Sequence, residues 1–330
     1  MESMSNRRIF FLAVNTGYTK NGIPERRFLD FYSERSGRGL HCAIVGNVAI
    51  PNGFGSNTST PRIDNNKIWQ EIAEAISNKG TLPGIQLSTT WENYIGVKTF
   101  IAKTPAEQLD FYKYIASKFD RNHINTQFSS LEKATRFAID SGFKHVQLHA
   151  AHGYFFNLIL DNRFSKHHDL AIELTQEWLE STRRANIETS VRISTLTGVS
   201  EFDLEQSSFL EEIIKIPFGY HDISEGFYNI NKKLIYPSIK SILANRINKS
   251  VELALKFPKN NFIASGKSFV LKQKDLPENI HVGICRDLIA NANFLNEQDN
   301  GCKNKMKCHY YSRGQSSMAC GLWEEVRDGL

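Results

Sequence analysis

The sequence has no long apolar run. The first stretch that could be mistaken for one, Ile9–Val14, follows the polar Met1–Arg8 and is too short for a signal peptide or a membrane span. It has no basic stripe either: 40 Lys and Arg against 35 Asp and Glu leave a net charge of +5, scattered along the chain. The densest cluster, Lys303, Lys305 and Lys307, reads as a solvated loop, so neither a nucleic-acid nor a membrane partner is expected. Cysteine is scarce. Five in 330 residues, an odd number at irregular spacing, argue against a disulfide framework and for a reduced, cytoplasmic protein. No Gly-x-Gly-x-x-Gly turn follows the first apolar run, which argues against an open dinucleotide-binding sheet. No His-x-His follows it and no Glu accompanies the later histidine pair. A metal-dependent barrel hydrolase is therefore a distant third reading, and no metal ligands are assigned. No composition break marks a linker, so residues 1–330 read as one domain with a short cysteine-containing C-terminal segment, 301–330.

What is present is an alternation. Apolar runs at Ile9–Val14, Leu40–Val45, Leu82–Leu87, Phe143–Leu148, Thr189–Ser194, Tyr220–Ser224, Asn261–Ala264 and Ile280–Cys285 read as buried strands. Helical periodicity fills most of the intervals: Glu25–Ser36, Asn65–Ser77, Pro105–Phe119, a helix opened by the cap-like Ser129-Ser130-Leu131-Glu132 and stopped at Gly142, then Leu170–Arg184, Asp203–Ile214, and material between Pro237 and Leu255. A short helix near Phe269–Lys274 and another from Arg286 complete the series. Eight such strands in βα alternation predict an α/β fold, a single (β/α)8 TIM barrel.

Barrels of this kind carry their sites at the carboxyl ends of the strands. That rule selects Thr16, Gly46, Gln86, His149, His152, Tyr154, Arg192, Gly226, Ser265-Gly266-Lys267 and Cys285-Arg286, and sends His221 and His281 to the opposite face. Residues i and i+3 of a regular strand point to opposite faces. His149 and His152 can therefore serve one site only if the chain turns at once after His149, and Gly153 permits such a turn. Spacing alone does not separate this from a helix start with two incidental histidines. Ser265-Gly266-Lys267 and Cys285-Arg286, after strands seven and eight, combine turn amides with cationic side chains and suit a phosphate dianion.

Leu148-His149-Ala150-Ala151-His152-Gly153-Tyr154 resembles the signature of the Old Yellow Enzyme family, FMN-dependent NAD(P)H oxidoreductases and ene-reductases. The resemblance runs along nearly the whole chain, through Asn6-Arg7-Arg8-Ile9, Ile50-Pro51-Asn52-Gly53, Gly84-Ile85-Gln86-Leu87, Val191-Arg192-Ile193-Ser194 and Cys285-Arg286-Asp287-Leu288 in the family's order. It implies FMN as cofactor, NADPH or NADH as co-substrate and a small-molecule substrate, and leaves a homo-oligomer open. Thr16 would lie beside the flavin's O4/N5 edge, Gly46 would contact the ring through its backbone, and Gln86 would bond its pyrimidine side. Arg192 would sit near N1/O2. Ser265, Gly266, Lys267, Cys285 and Arg286 would surround the phosphate. His149 and His152 would both hydrogen-bond a substrate carbonyl, and Tyr154 would protonate Cα while flavin N5 delivers hydride to Cβ of an activated C=C bond, in the reducing, oxidising or isomerising sense.

The chain also departs from that pattern. Ser88-Thr89-Thr90-Trp91 stands where the family has His-x-Gly-Arg, the segment Asn162–Leu170 is compressed, Val14 replaces a proline, and Cys285 replaces the glycine of a Gly-Arg pair. A barrel that binds flavin or a partner without turnover is thus the alternative reading. Cys308 and Cys320 have the spacing of two cluster ligands of the family's iron–sulfur branch, but the preceding Cys-x-x-Cys is missing, so they are read as free or structural.

Overall fold

The computed structural model describes residues 7–94, 104–205, 208–266, 275–304 and 307–323. Lys267 and the short helix expected near Phe269–Lys274 lie outside the described residues. Eight strands, β1 (Ile9–Phe11), β2 (Cys42–Ala49), β3 (Leu82–Ser88), β4 (His145–Ala150), β5 (Glu188–Ser194), β6 (Tyr220–Ser224), β7 (Phe262–Ser265) and β8 (Ile280–Ile284), close into one barrel in which each pairs in parallel with the next and β8 returns to β1. The strands are short and apolar because they are covered on both faces, by helices outside and by side chains inside. The fold is the (β/α)8 barrel expected from the alternation.

The helices differ from expectation in two places. The helix before β4 is one unbroken element, α4 (Arg121–Asp140), capped by the Asp120 carboxylate accepting from His123 N. The Ser129-Ser130-Leu131-Glu132 run lies inside it, since Ile124, Phe128 and Leu131 already form one continuous buried face. The predicted helix Asp203–Ile214 is instead two pieces, Ser200–Asp203 and Phe209–Lys215. Asp203 ends the first piece and turns its carboxylate back to accept from Thr197 N (2.7 Å) and Gly198 N (2.9 Å).

Two apolar clusters hold the barrel. The larger lies between the strands and the helix ring and includes Trp69, Trp178, Phe155 and Phe156. The smaller, Phe10, Leu12, Cys42, Ile44, Tyr220 and Ile263, fills part of the inside, where the Phe10 ring meets His41, His145, Tyr220 and His281 across the lumen. Directly after β4, the six-residue helix α5 (Phe155–Leu160) is buried on every side. At about 1.5–3 kcal/mol for each large apolar side chain removed from water, α5 anchors the loop before it firmly. No described helix is long and apolar enough to cross a membrane.

Candidate active site

A cavity of about 380 Å³ opens at the carboxyl ends of the strands, a volume in the range of small-ligand sites. Its wall includes nine of the residues selected from sequence: Gln86, His149, His152, Tyr154, Arg192, Ser265, Gly266, Cys285 and Arg286. The loop after β4 brings the first imidazoles and the phenol together by two consecutive left-handed residues, His152 (φ 64°) and Gly153 (φ 76°). The strand runs one residue past His149, to Ala150, before this turn. His152 pays for its backbone with partners: its N–H donates to Ser194 Oγ at 2.9 Å, and its Nδ1 lies 2.9 Å from the Gly226 carbonyl. The rings of His149 and His152 end 5.6 Å apart, and Tyr154 lies 4.7 Å from His149.

The hydrogen bonds assign the tautomers. Ala151 N donates to His149 Nδ1 at 3.3 Å, so the proton of a neutral His149 sits on Nε2, a donor for the cavity. His152 has the other arrangement. A carbonyl only accepts, so Nδ1 carries the proton toward Gly226, and Nε2, 3.4 Å from Ser224 Oγ, is an acceptor. Both rings are neutral at pH 7: burial, His152 and Arg192 push His149 well down, and burial with Arg192 pushes His152 to about 3. The expected pair of donors is therefore one donor and one acceptor in this structure. Tyr154 stacks on Tyr228 at 5.6 Å with 21° between the planes and meets Tyr94 edge-on at 5.7 Å. Burial, reinforced by the Tyr228 and Tyr94 hydroxyls, pushes its phenol well up and keeps it protonated.

Arg192 donates to Asp222 Oδ2 at 2.6 Å and to Ser224 Oγ at 3.1 Å. Burial pushes the Asp222 carboxyl up, and the guanidinium opposes it. At the end of the cavity where phosphate was expected, Arg286 is buried, gives Nη2 to the Pro237 carbonyl, and has Nη1 buried with no hydrogen-bond partner among the described residues. A buried guanidinium N–H without an acceptor, beside Gly266, fits the phosphate of FMN. The amide of Gln86 fits a polar ring edge, so the residues present suit the two polar ends of the cofactor. Ser265 lines the cavity but gives its hydroxyl to Ile223 O at 3.3 Å. The Cys285 thiol, pushed up to about 12 by burial and then by Cys308, is an uncharged part of the wall.

Three expected residues are not part of the cavity wall: Gly226, whose carbonyl holds His152 Nδ1, and Thr16 and Gly46. Thr16 is fully buried: its hydroxyl accepts from Tyr18 N at 3.2 Å and its carbonyl from Met318 N at 2.8 Å, so the C-terminal segment covers it. Val14 and Asn15 line the cavity in its place. Gly46 lies behind Gln86, where a Cβ would come within 3.1 Å of the Gln86 backbone oxygen, and its neighbour Asn47 lines the cavity instead. His221 and His281 stay away from this face, His221 against Ile213 O and His281 beside Tyr220. Sequence reasoning missed Asp222, Tyr228, Arg246 and the 308–312 segment. Strand parity was a usable signal for Asp222, because Tyr220, Asp222 and Ser224 share one face of β6. Among the described residues no three His, Cys, Asp or Glu side chains come together as metal ligands.

The sequence profile of the NADH:flavin oxidoreductase / NADH oxidase family matches residues 4–171, slightly more than half of the chain, including Gln86 and the His149–Tyr154 loop. Among solved structures the chain is similar to Old Yellow Enzyme from Pichia sp. AKU4542, with TM-score 0.66 and 16% identity over 88% of this chain and 82% of that one. It is also similar to 2-naphthoyl-CoA reductase bound to 2-naphthoyl-CoA (TM-score 0.71, 15% identity, 96% of this chain, 54% of that one). A third is 6-hydroxypseudooxynicotine amine oxidase from Pseudomonas geniculata N1 (TM-score 0.74, 13% identity, 96% of this chain, 51% of that one). The chain thus spans about half the length of the last two, and at these identities the likeness is one of fold. No curated protein matches the sequence. The chain belongs to the NADH:flavin oxidoreductase / NADH oxidase family and is, by that membership, a flavin oxidoreductase.

Proposed function

We propose that the protein is an FMN-dependent ene-reductase, acting on a planar, uncharged small molecule whose C=C bond is conjugated to a carbonyl, with NADPH or NADH as electron donor. The observation that carries this reading is the pairing of a donor imidazole, His149, with a protonated phenol, Tyr154, 4.7 Å away in one buried cavity. Bound FMN would supply the hydride for such a reaction. Everything else falls to the chain. His149 Nε2–H would hold the substrate oxygen and the negative charge that develops on it, as an oxyanion hole does. Tyr154 would give its proton to the carbon next to the carbonyl, a role for a neutral acid in an apolar pocket. Tyr94 and Tyr228 would set the plane of the substrate by ring contacts. Gly266 and Arg286 would take the phosphate, Arg192 and Gln86 the polar ring edge.

The absorption spectrum of the purified protein reconstituted with FMN tests the reading. The expected result is a retained flavin band pair that bleaches with NADPH or NADH under anaerobic conditions and returns on adding 2-cyclohexen-1-one. Protein that takes up no FMN would remove the proposal. Flavin that bleaches but does not recover with the enone would remove the substrate class.

A further inference from the structure

Barrel interiors are usually filled by layers of branched apolar side chains. Here the half of the lumen formed by β3, β4, β5 and β6 is polar, and its residues sit side by side through strand register: Gln86 opposite Gln147, Gln147 opposite Ser190, and Arg192 opposite Asp222. Asp222 is fully buried. Its Oδ2 accepts from Arg192 Nη1 and, at 3.3 Å, from Gln147 Nε2, while Oδ1 is buried with no partner among the described residues. A carboxylate only accepts, so it dictates which way the Gln147 amide points. The second N–H of Gln147 goes to Ser190 Oγ at 3.0 Å, and its oxygen then faces β3, where it accepts from Gln86 Nε2 at 2.5 Å. The Gln86 amide is oriented in turn, which leaves its carbonyl oxygen for the cavity that this side chain lines.

We propose that Asp222 is a positioning residue that acts on the cofactor through two neighbours. Through Gln147 it presents Gln86 as an acceptor for the imide N–H of the flavin ring. Through Arg192 it partly neutralises the cation that would otherwise favour the negative charge a flavin gains on reduction. The inference rests on the flavin reading above, and neither Asp222 nor Gln147 lines the cavity. A guanidinium 2.6 Å from a carboxylate presents a weaker field than a free one, so the buried pair holds the flavin's potential down.

Two variants test the two arms on FMN-loaded protein. Asp222→Asn keeps the shape and removes the charge. The midpoint potential of its bound FMN, measured by dye-coupled anaerobic titration, is expected to rise by at least about 30 mV, which is tenfold in the ratio of reduced to oxidised flavin. A potential unchanged or lowered would overturn the charge role. Gln147→Leu leaves Asp222 in place and releases Gln86. The preference of the wild-type protein for FMN over FMN methylated at the imide nitrogen, read as a ratio of Kd values by flavin fluorescence, is expected to shrink at least tenfold. An unchanged ratio would overturn the orienting role even if Asp222→Asn does not fold. A wild-type protein that binds neither flavin would overturn the flavin reading and this inference with it, and that result appears before any substitution is made.

Discussion

His149 and His152 are chemically the same group made different by one backbone contact each. The Ala151 amide fixes His149 as a donor toward the cavity, and the Gly226 carbonyl fixes His152 as an acceptor. The two alanine variants should therefore separate. His149→Ala is expected to weaken binding of p-chlorophenol to FMN-loaded protein at least tenfold, seen as loss of the long-wavelength charge-transfer band. His152→Ala should change that affinity less and lower the unfolding midpoint more, because it leaves the buried Gly226 carbonyl with only the longer bond from Ser194 Oγ, at 3.3 Å. Equal loss of phenol affinity in both would contradict the tautomer assignment. Tyr154→Phe keeps the ring stack on Tyr228 and removes only the proton donor. Enone turnover should fall by roughly 10²–10⁴, the usual worth of a positioned general acid, while the rate of flavin bleaching by the nicotinamide stays within about twofold in stopped flow.

The loop joining β4 to α5 is where a strand becomes a site. Its turn needs Gly153 twice over: φ is 76°, and a Cβ there would meet Phe227 Cδ2 at 2.7 Å and Tyr112 Cε1 at 2.8 Å. Gly153→Ala combines left-handed strain of about 1–2 kcal/mol with overpacking of about 1–3 kcal/mol. Its stability should drop by roughly 2–5 kcal/mol in urea denaturation, with α5 still anchored by its own buried face. This loop also shows what a sequence can and cannot tell. The eight strands were legible because each is a short apolar run, and β6 was read to the residue. The convergence of His149 and His152 was not fixed by spacing, because it depends on two left-handed residues stabilised by Ser194 on β5 and Gly226 after β6, far away in sequence. That Thr16 lies off the cavity wall was hidden for a similar reason. What covers it is Met318, some three hundred residues later, and no local pattern announces that contact.

The barrel as a body has two polar ends joined through a half-polar lumen, and its response to acid follows from that. Near the amino ends of the strands, Glu188 takes hydrogen bonds from His145 (2.7 Å), His41 (3.1 Å) and Arg8 (2.8 Å). Burial alone would push its carboxyl up, but the two histidines outweigh burial and hold it well below the usual carboxylate range. At least five described histidines are held neutral, with burial the main cause: His149 well below its ordinary value, His152 and His309 at about 3, and His221 and His281 at about 4. In the unfolded chain each would take a proton near pH 6.5, so between pH 6.5 and 4 the unfolded state binds more protons and folding loses stability as pH falls. The low Glu188 adds to the loss below about pH 4.5. Asp222 and Glu225, raised by burial, work in the opposite sense, but these two carboxyls stand against five imidazoles and Glu188. The melting temperature, followed by circular dichroism, should thus be flat from pH 8 to about 6.5 and fall steadily from there to pH 4. A melting temperature that held constant down to pH 4 would mean that these imidazoles are not buried neutral, and would take with it the neutral state on which the His152 acceptor depends.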